Sequence, residues 1–376
     1  MKKKLKVALV HDYLKEYGGA ERVLQNLCEI YPQAPIYTAF CVKNSTAGKA
    51  FANAKIIESK FAFLIKHKNL YSPLRFLTPL IWKSFNLSRY DLVIASSSWM
   101  ITRGFRVGPN TKVICYCHTP PRYLYGYPTS IEWRRYLLVR IYASVINHFL
   151  RLFDFKSAWK VDYFIVNSKN VQNRVKKFYR RDSTIIYPPV EVNKIIKATW
   201  KIKKPDNFFL IASRIVGAKG IEVAIEASKL AGIKIKIIGE PAGLKWLGGT
   251  IENKKNANVE FLGRLSDEKL YEYYGKCKAF LALSTDEDFG MTPVEAMAAG
   301  RPVIAYRGGG YLETVVEGKT GVFFEDLSAE GLVRAIEDFE KVKNKIKPDD
   351  CRKQAEKFSK ERFKEEIENF VKKITA

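Results

Sequence analysis

The sequence predicts an α/β protein built from two parallel-sheet domains, and three observations support this prediction. The chain has 376 residues, which at roughly 150 residues per domain is enough for two or three domains. Short β-branched and apolar runs alternate with amphipathic helical stretches, a pattern typical of a parallel sheet covered by helices on both faces. The alternation stops once, near residue 190, and then begins again.

The composition is that of a water-soluble globular protein. Hydrophobic residues make up 47% of the chain and charged residues 27%, which excludes a disordered, collagenous or disulfide-stapled chain. No run approaches the roughly 18 apolar residues that a membrane-spanning helix requires. The six cysteines include no CxxC pair, so we expect reduced thiols, no zinc site and a cytoplasmic protein.

The first predicted domain spans residues 1–190. It begins with the strand Lys6–Val10, which is too short for the apolar segment of a signal peptide and precedes a helix that starts at Glu21. The other strands predicted in this domain are Pro35–Ala39, Leu92–Ser96, Lys112–Cys117, Tyr163–Asn167 and Thr184–Tyr187.

The second predicted domain spans residues 191–358. The Lys-rich stretch that runs to Pro205 is interpreted as an interdomain linker. A helix is predicted at Gly220–Ala231, and the strands are predicted at Phe208–Ala212, Ile233–Ile238, Val259–Leu262, Ala279–Leu283, Val303–Ala305 and Gly321–Phe324. Ligands bind beyond the carboxyl ends of parallel strands, so two such sheets facing each other predict a cleft lined by strand-to-helix loops.

The densest motif is Ser284–Gly300, which follows a predicted strand and opens a helix. Thr292 is predicted to cap this helix, with proline at the first helical position and Glu295 completing a capping box. On that interpretation Glu295 only stabilises the helix end. The backbone N–H groups of residues 290–292 also suit a phosphate, because they lie at the positive end of a helix.

A second motif places Arg214 and Lys219 in a glycine-bearing turn directly after a predicted strand. Two cations at this spacing can converge on one point, as a departing pyrophosphate requires. On spacing alone, two solvated surface charges are the favoured interpretation of the pattern.

Two further positions lie at predicted strand ends or loops. His118 ends the strand Lys112–Cys117 and precedes two prolines that stop it, so we expect His118 at the lip of the sheet, as a catalytic group or as a structural hydrogen-bonding group. Gly18 and Gly19 open the first helix; paired glycines allow close approach of backbone to a ligand, but they also form ordinary turns.

Positive charge is concentrated in the first half of the chain. Residues 1–190 hold 31 Lys and Arg against 10 Asp and Glu, whereas residues 191–376 hold 33 against 29. In Lys60–Arg89 and Trp133–Phe155, apolar and aromatic residues interleave with basic ones. Core helices with a solvated basic face would give this pattern, but we favour a surface that lies on anionic lipid. No RNP, KH or helix-turn-helix signature supports nucleic-acid binding.

Taken together, these motifs resemble the retaining, nucleotide-sugar-dependent glycosyltransferases of family 4, which have the GT-B architecture. Glu287 and Glu295 stand at the spacing of the family's E-x7-E signature. Arg214, Lys219 and His118, with the glycine loop near the N-terminus, match its other motifs. Several strings are similar to the GDP-mannose-dependent mannosyltransferases of O-antigen and related polysaccharide assembly: Cys115–Arg122, Val166–Ser168, Ile186–Val190, Glu287–Gly290 and Pro293–Pro302.

The resemblance implies a division of labour between two Rossmann-like domains. The N-terminal domain, residues 1–190 completed by the final helix 359–376, would take the acceptor, and residues 191–358 would take the nucleotide sugar. Arg214 and Lys219 would hold the diphosphate, and no metal would be required because these cations supply the positive charge.

The remaining roles are also implied by the resemblance. Glu287 and His118 would contact hydroxyls of the transferred sugar, and Glu295 would bind the ribose hydroxyls. The other implied donor-binding positions are Gly18, Gly19, Gly263, Arg264, Gly290, Met291 and Thr292. Many family members have glycine at the position of Asp288, although aspartate is common in the mannosyltransferase subgroup.

The predicted function is retaining transfer of a hexose, mannose from GDP-mannose, onto a lipid-linked or polysaccharide acceptor at the inner face of the membrane. The departing phosphate oxygen would take the acceptor proton during attack on the same face of the sugar. A UDP-sugar-dependent enzyme of the same fold is one alternative. A non-catalytic basic module that binds nucleic acid or membrane is another.

Overall fold

A computed structural model describes residues 5–67, 70–129, 136–241 and 256–375, which form two compact units. The first unit comprises the described residues up to Tyr127, those from 136 to Pro189, and the chain from Phe363 onward. The second consists mainly of Val190–Arg362. Each unit is built on one parallel sheet.

The first unit contains a seven-stranded sheet in the order β3-β2-β1-β4-β5-β6-β7. Its strands are β1 Val7–His11, β2 Ile36–Thr38, β3 Ile56–Glu58, β4 Leu92–Ser97, β5 Lys112–Cys117, β6 Tyr163–Val166 and β7 Thr184–Ile185. Its helices are α1 Gly19–Ile30, α2 Thr46–Ala50, α3 Ala62–Lys66, α4 Thr78–Lys83, α5 Arg122–Tyr125, α6 Leu137–Ala158 and α7 Lys169–Tyr179. Successive residues of β1 pack into two different apolar clusters, one on each face of the sheet, which explains its unbroken apolar sequence.

The second unit contains a six-stranded sheet in the order β10-β9-β8-β11-β12-β13. Its strands are β8 Phe209–Ala212, β9 Ile235–Ile238, β10 Val259–Gly263, β11 Ala279–Ala282, β12 Val303–Tyr306 and β13 Gly321–Phe324. The helices that follow in the chain are α8 Val192–Thr199, α9 Ile221–Ala231, α10 Asp267–Lys276, α11 Met291–Ala298, α12 Tyr311–Thr314, α13 Ala329–Val342, α14 Pro348–Glu356 and α15 Lys360–Thr375.

The sequence-based fold class is confirmed, and every predicted strand is present within two residues of its predicted ends. The strand β3 was missed. It has only three residues, Ile-Ile-Glu, and lies at the edge of the first sheet, where a short run gives no period-2 pattern to detect.

The structure corrects the interpretation of the Lys-rich stretch as an interdomain linker. Residues 192–199 form α8, and its Val192, Ile195 and Thr199 are buried. These three residues recur every three to four positions, while Lys194 and Lys197 lie on the exposed side of the helix. The lysines dominated the composition and concealed the apolar spacing.

The last helix contributes to the core of the first unit. Phe363, Ile367 and Val371 of α15 are buried in the same apolar cluster as β1 residues. The Nζ atom of Lys364 lies 2.5 Å from a carboxylate oxygen of Glu29 on α1, so an ion pair accompanies the apolar contact.

Each sheet has one point at which the strand order reverses. In the first sheet, β1 lies between β2 and β4, and in the second sheet, β8 lies between β9 and β11. The loops that leave such neighbouring strands diverge to opposite faces of the sheet and open a crevice for ligands. The loops after β1 and β4, and those after β8 and β11, are therefore the expected ligand-binding loops.

Candidate active site

An ion pair joins the loops that follow β8 and β11. Lys219 donates a hydrogen bond from Nζ to Oε2 of Glu287, and the two side chains remain 24% and 20% exposed. Lys219 ends a one-turn helix, and Gly220 follows it in a left-handed conformation with φ of 67°. A Cβ atom on Gly220 would lie 2.6 Å from Cβ of Leu283, so only glycine lets these two loops approach so closely.

The backbone and side chain of Glu287 are held from the loop after β12. The N–H of Gly310 donates to the carbonyl oxygen of Glu287 at 2.8 Å, and the hydroxyl of Tyr311 donates to Oε2 at 3.4 Å. Burial, together with the neighbouring Glu287 carboxylate, raises the pKa of Tyr311 well above its ordinary value. Tyr311 therefore remains a hydrogen-bond donor to Glu287 at neutral pH.

Arg214 lies two residues after β8 and its side chain is exposed. Within the described parts of the chain its guanidinium has no ion pair, whereas Lys219 contacts Glu287. The structure thus brings the lysine to the acid and leaves the arginine at the surface of the same strand-to-helix connection.

The predicted capping box in α11 is wrong. The helix begins at Met291 after Gly290, whose φ of 92° is left-handed, and no side chain caps it. Thr292 is therefore the second helical residue. Glu295 is 1% exposed, and its Oε2 accepts a hydrogen bond from the hydroxyl of Tyr274 at 2.7 Å. The left-handed turn at Gly290 starts the helix two residues before the position that Thr292 predicts.

This geometry leaves the first turn of α11 without a side-chain cap. The N–H groups at the start of a helix point along its axis and carry partial positive charge, so they suit an anion. Gly290 is required here because a Cβ atom would lie 2.9 Å from the ring of Tyr311. Contact between a ligand and the buried carboxylate of Glu295 would need movement of its side chain.

Gly263 and Arg264 lie at the edge of the second sheet. Gly263 ends β10 with φ of 65°, and its carbonyl oxygen accepts a hydrogen bond from the N–H of Gly239 at 2.8 Å. Among the described residues other than its own chain neighbours, no atom lies within 4 Å of the position that a Cβ on Gly263 would occupy. Arg264 is exposed, and donor binding by these two residues remains a prediction.

In the first unit, four side chains form a continuous hydrogen-bonded chain at the carboxyl ends of β1, β4 and β5. Nε2 of His118 lies 2.8 Å from Oγ of Ser96, and that Oγ lies 3.0 Å from Nδ1 of His11. Nε2 of His11 lies 3.2 Å from Oε1 of Glu21, and Oε2 of Glu21 accepts from the N–H of Gly18 at 2.9 Å. We call these four side chains the relay: Glu21, His11, Ser96 and His118.

The surroundings of the relay shift the pKa values of its two ends. Burial, and then the nearby His11, lowers the pKa of His118 to about 4, so this imidazole is neutral at neutral pH. Burial alone would raise the pKa of Glu21, but the hydrogen bonds from His11 and the backbone lower it, so the carboxylate is ionised.

Sequence reasoning missed His11, Ser96 and Glu21. The available signals were weak: His11 ends the first strand, and Glu21 stands three residues after Gly18, which is capping-box spacing. Ser96 stands directly opposite His11 in the register between β1 and β4, which no local pattern can show.

Asp12, also missed, organises the loop after β4. One of its carboxylate oxygens accepts hydrogen bonds from the backbone N–H groups of Ser98, Trp99 and Met100, at 3.1, 2.6 and 3.2 Å. The same loop contains Ile101 with φ of 51°, a left-handed conformation that a β-branched residue rarely adopts. The buried carboxylate holds this strained loop beside the relay.

The paired glycines have a local structural role. Neither Gly18 nor Gly19 has a positive φ, and a Cβ atom on Gly18 would make an ordinary 3.4 Å contact with Glu21. The N–H of Gly18 is already used by Glu21. Donor binding by these glycines remains a prediction.

The thiols and the acidic side chains show no metal-binding arrangement among the residues described. No group of three or more His, Cys, Asp or Glu side chains is placed to hold an ion there. All six cysteines are free, and burial raises the pKa of Cys28, Cys277 and Cys351 to about 12. No helix in the described ranges is both long and apolar enough to cross a bilayer.

Comparison with known families identifies the class of protein. Residues 17–194 match the family described as Glycosyltransferase Family 4, and residues 192–358 match Glycosyl transferases group 1. The two matches together run from residue 17 to residue 358, and the chain belongs to these glycosyltransferase families. It is a glycosyltransferase enzyme with two Rossmann-like domains of the GT-B class.

Three individual proteins illustrate this similarity. The chain is 27% identical over 344 residues to the alpha-1,3/1,6-mannosyltransferase ALG2 of Dictyostelium discoideum, a match that covers 77% of each protein. It is 30% identical over 164 residues to a glycosyltransferase of Methanocaldococcus jannaschii, and this match spans less than half of either protein, 44% and 45%. The crystal structure of Anabaena HepE in complex with UDP superposes with a TM-score of 0.70 at 17% identity, covering 98% of this chain and all of HepE.

Proposed function

We propose that the protein transfers mannose from GDP-mannose, with retention of anomeric configuration, to a lipid-linked or polysaccharide acceptor. The observation that carries the proposal is the ion pair of Lys219 and Glu287 at the point of strand-order reversal in the second sheet. The similarity to an ALG2 mannosyltransferase over 77% of the chain supports mannose as the sugar.

Lys219 is the main group proposed to hold the donor diphosphate. An ammonium has three N–H donors, and one of them is engaged by Glu287, so two are left for phosphate oxygens. Glu287 thereby orients the lysine and also presents a carboxylate to sugar hydroxyls. Arg214 and the first-turn N–H groups of Gly290, Met291 and Thr292 would supply further positive charge.

The reaction then needs no carboxylate nucleophile and no metal. The bond between the anomeric carbon and the phosphate oxygen breaks as the acceptor oxygen forms its bond on the same face of the sugar. The acceptor proton passes to the departing phosphate oxygen. Lys219 and Arg214 stabilise the negative charge that develops on the diphosphate, and Glu295 takes the ribose hydroxyls after its side chain moves.

The donor is tested by incubating the protein with a panel of GDP- and UDP-sugars and measuring release of nucleoside diphosphate by chromatography. We expect GDP-mannose to be hydrolysed fastest, and the Lys219→Ala protein is the control for enzyme-dependent release. Fastest release from a UDP-sugar would replace this donor with the alternative, for which the presence of UDP in the HepE structure is the supporting observation. Absence of release and of binding for all donors would favour a non-catalytic module.

We further propose that the first unit docks on an anionic membrane and so works at its inner face. The outward face of α6 is apolar. Six of its exposed apolar residues lie along about 22 Å of helix, and from Leu138 onward they recur every three to four positions: Leu137 65%, Leu138 80%, Ile141 56%, Val145 54%, Phe149 62% and Leu152 47% exposed. We call these six residues the apolar stripe.

Buried polar contacts fix which face of α6 points outward. Asp154 is buried and accepts hydrogen bonds from Arg103 and, at 2.6 Å, from the hydroxyl of Tyr125. About two turns earlier in the helix, Oδ1 of the buried Asn147 accepts a hydrogen bond from Nε of Arg75 at 3.2 Å. Turning the apolar stripe inward would break these contacts, so its exposure follows from the packing on the opposite face of the helix.

The charges around the apolar stripe favour anionic lipid as its partner. The only acid in α6 is the buried Asp154, whereas Arg140 and Lys156 are exposed. The neighbouring segment from 60 to 89 contains no acid and exposes Phe63, Phe76 and Leu80. Apolar side chains that enter the acyl boundary while cations meet headgroups are the pattern of an interfacial helix.

Co-sedimentation with vesicles tests the membrane proposal. The triple variant Leu138→Gln/Val145→Gln/Phe149→Gln should bind phosphatidylglycerol vesicles at least about tenfold more weakly, because three large apolar side chains no longer leave water. The matched control, Leu230→Gln/Leu312→Gln, removes exposed apolar residues of the second unit and should bind normally. Unchanged binding of the triple variant, dimerisation through the apolar stripe, or retention on RNA at physiological salt would contradict the proposal.

A further inference from the structure

The hydrogen bonds of the relay all run in one direction, because the carboxylate of Glu21 at its start can only accept hydrogen bonds. The ionised carboxylate of Glu21 has no proton to donate, so Nε2 of His11 must carry the proton of their hydrogen bond. In a neutral imidazole, Nδ1 of His11 is then the acceptor. The hydroxyl of Ser96 donates to it, and Oγ of Ser96 accepts from Nε2–H of His118.

The backbone of His118 is fixed by two hydrogen bonds, so only the protonation of its ring can change. The N–H of His118 donates to the carbonyl oxygen of Ser97 at 2.9 Å, and its own carbonyl oxygen accepts from the side-chain amide of Asn167 at 2.9 Å. Among the residues described, Nδ1 of His118 has no hydrogen-bond partner. The hydrogen bond with Ser96 therefore determines which ring nitrogen of His118 carries no proton.

We propose that Glu21, through His11 and Ser96, positions His118 as the Nε2–H tautomer, so that its bare Nδ1 accepts a hydrogen bond from a hydroxyl of the sugar substrate. Glu21, His11 and Ser96 are positioning residues, since none of them needs to touch the substrate. The contact with the sugar rests on the proposed function and on the role that the family resemblance implies for His118, whereas the tautomer does not.

One nearly isosteric substitution should reverse the whole relay. In the wild type, the backbone N–H of Gly18 donates to Oε2 of Glu21. In Glu21→Gln, this N–H still requires an oxygen acceptor. The Gln oxygen takes that place, and its NH₂ group faces Nε2 of His11. His11 must then accept at Nε2 and donate from Nδ1 to Ser96, and Ser96 donates to Nε2 of His118. The proton of His118 moves to Nδ1, the atom proposed to accept from the sugar.

The tautomers can be read directly by NMR. The chain has four histidines, so long-range ¹H–¹⁵N correlation of histidine-labelled protein gives a spectrum that His→Gln variants can assign. We expect the Nε2–H form for both His11 and His118 in the wild type, and the Nδ1–H form for both in Glu21→Gln. Glu29→Gln is the matched control on the same helix, since Glu29 pairs with Lys364 outside the relay, and it should leave both tautomers unchanged.

Activity gives the second measurement. Glu21→Gln should lower kcat by about tenfold, the loss of one hydrogen bond, while the Kd for the free nucleoside diphosphate stays unchanged. Ser96→Ala breaks the relay instead of reversing it and should give His118 as a mixture of tautomers. A purely structural role of Glu21 would predict neither the inversion nor the separation of kcat from Kd.

The outcomes separate the relay from the proposed function. An Nδ1–H form of His118 or a doubly protonated His11 in the wild type would overturn the proposed direction. An unchanged His118 tautomer in Glu21→Gln would show that Glu21 does not determine this tautomer. Inversion of the tautomer with normal kcat would confirm the relay and refute contact of Nδ1 with the sugar.

Discussion

Each unit contains an ion pair between residues far apart in the chain, and the two pairs have opposite surroundings. In the first unit, Arg103 and Asp154 are 1% and 0% exposed and tie the β4–β5 connection to α6. In the second unit, Lys219 and Glu287 are 24% and 20% exposed and join two strand-to-helix loops. A fully buried pair has no room for a ligand, whereas a partly exposed pair keeps donors and acceptors available. The comparison separates a structural ion pair from one that is proposed to be functional.

The candidate sites at the two points of strand-order reversal also differ in the charge of their side chains. The site after β8 and β11 presents Lys219, Arg214 and a helix N-terminus, which suit a diphosphate. The site after β1, β4 and β5 presents the relay, in which a hydroxyl and imidazoles lead to a neutral His118. The strongly basic half of the chain thus has the less charged site, and its excess lysines and arginines belong to its surface.

The largest expected effect concerns the buried pair. Asp154→Ala leaves the guanidinium of Arg103 buried without its carboxylate, so we expect the free energy of unfolding of the first unit to fall by about 3–5 kcal/mol. Urea unfolding followed by tryptophan fluorescence measures this change. The double variant Arg103→Met/Asp154→Leu should recover most of the loss, because apolar side chains of similar size need no partner. A loss below about 1 kcal/mol in Asp154→Ala would remove the structural role of the pair.

The second expected effect concerns the partly exposed pair. Lys219→Ala should lower turnover by about two to three orders of magnitude, since one electrostatic contact in such a site is worth about 3–4 kcal/mol of barrier. Its free energy of unfolding should change by less than about 1 kcal/mol, because the pair is part-solvated. Lys229→Ala, an exposed lysine on α9, is the matched control with normal turnover. Near-normal turnover of Lys219→Ala would refute the assignment.

The smallest expected effect is the pH dependence that His118 gives to the first unit. Its pKa is lowered from 6.5 to about 4 by burial, so between these values the unfolded chain binds more protons than the folded one. The free energy of unfolding therefore falls as the pH drops through this window. Between pH 7 and pH 4.5, we expect the wild type to lose about 2 kcal/mol more than His118→Asn, measured by urea unfolding. Equal losses in the two proteins would show that His118 titrates normally in the folded state.

The strands were predictable because helices cover both faces of each sheet, so the strands are short runs of continuous apolar residues. Lys112–Cys117 and Gly321–Phe324 were predicted to the residue. The candidate functional loops of the second unit were also visible in the sequence, because Arg214 and Lys219 stand within one loop and Glu287 and Glu295 within one motif.

The relay could not be predicted, since its members come from three strands and a helix between residues 11 and 118. Their contacts arise from strand register, which sets His11 against Ser96. The cap of α11 was mispredicted because Thr292 fits the local pattern, whereas the helix start is set by the packing of Gly290 against Tyr311. Tertiary contacts overrode local preference in both cases.

The most direct test of the central claim is calorimetric titration of nucleoside diphosphates into the wild type and Lys219→Ala. We expect GDP to bind the wild type more tightly than UDP does, and Lys219→Ala to weaken GDP binding by at least about tenfold, as loss of a charge-assisted contact requires. Equal affinity of the two proteins for GDP would contradict the assignment of the loops after β8 and β11 as the donor site.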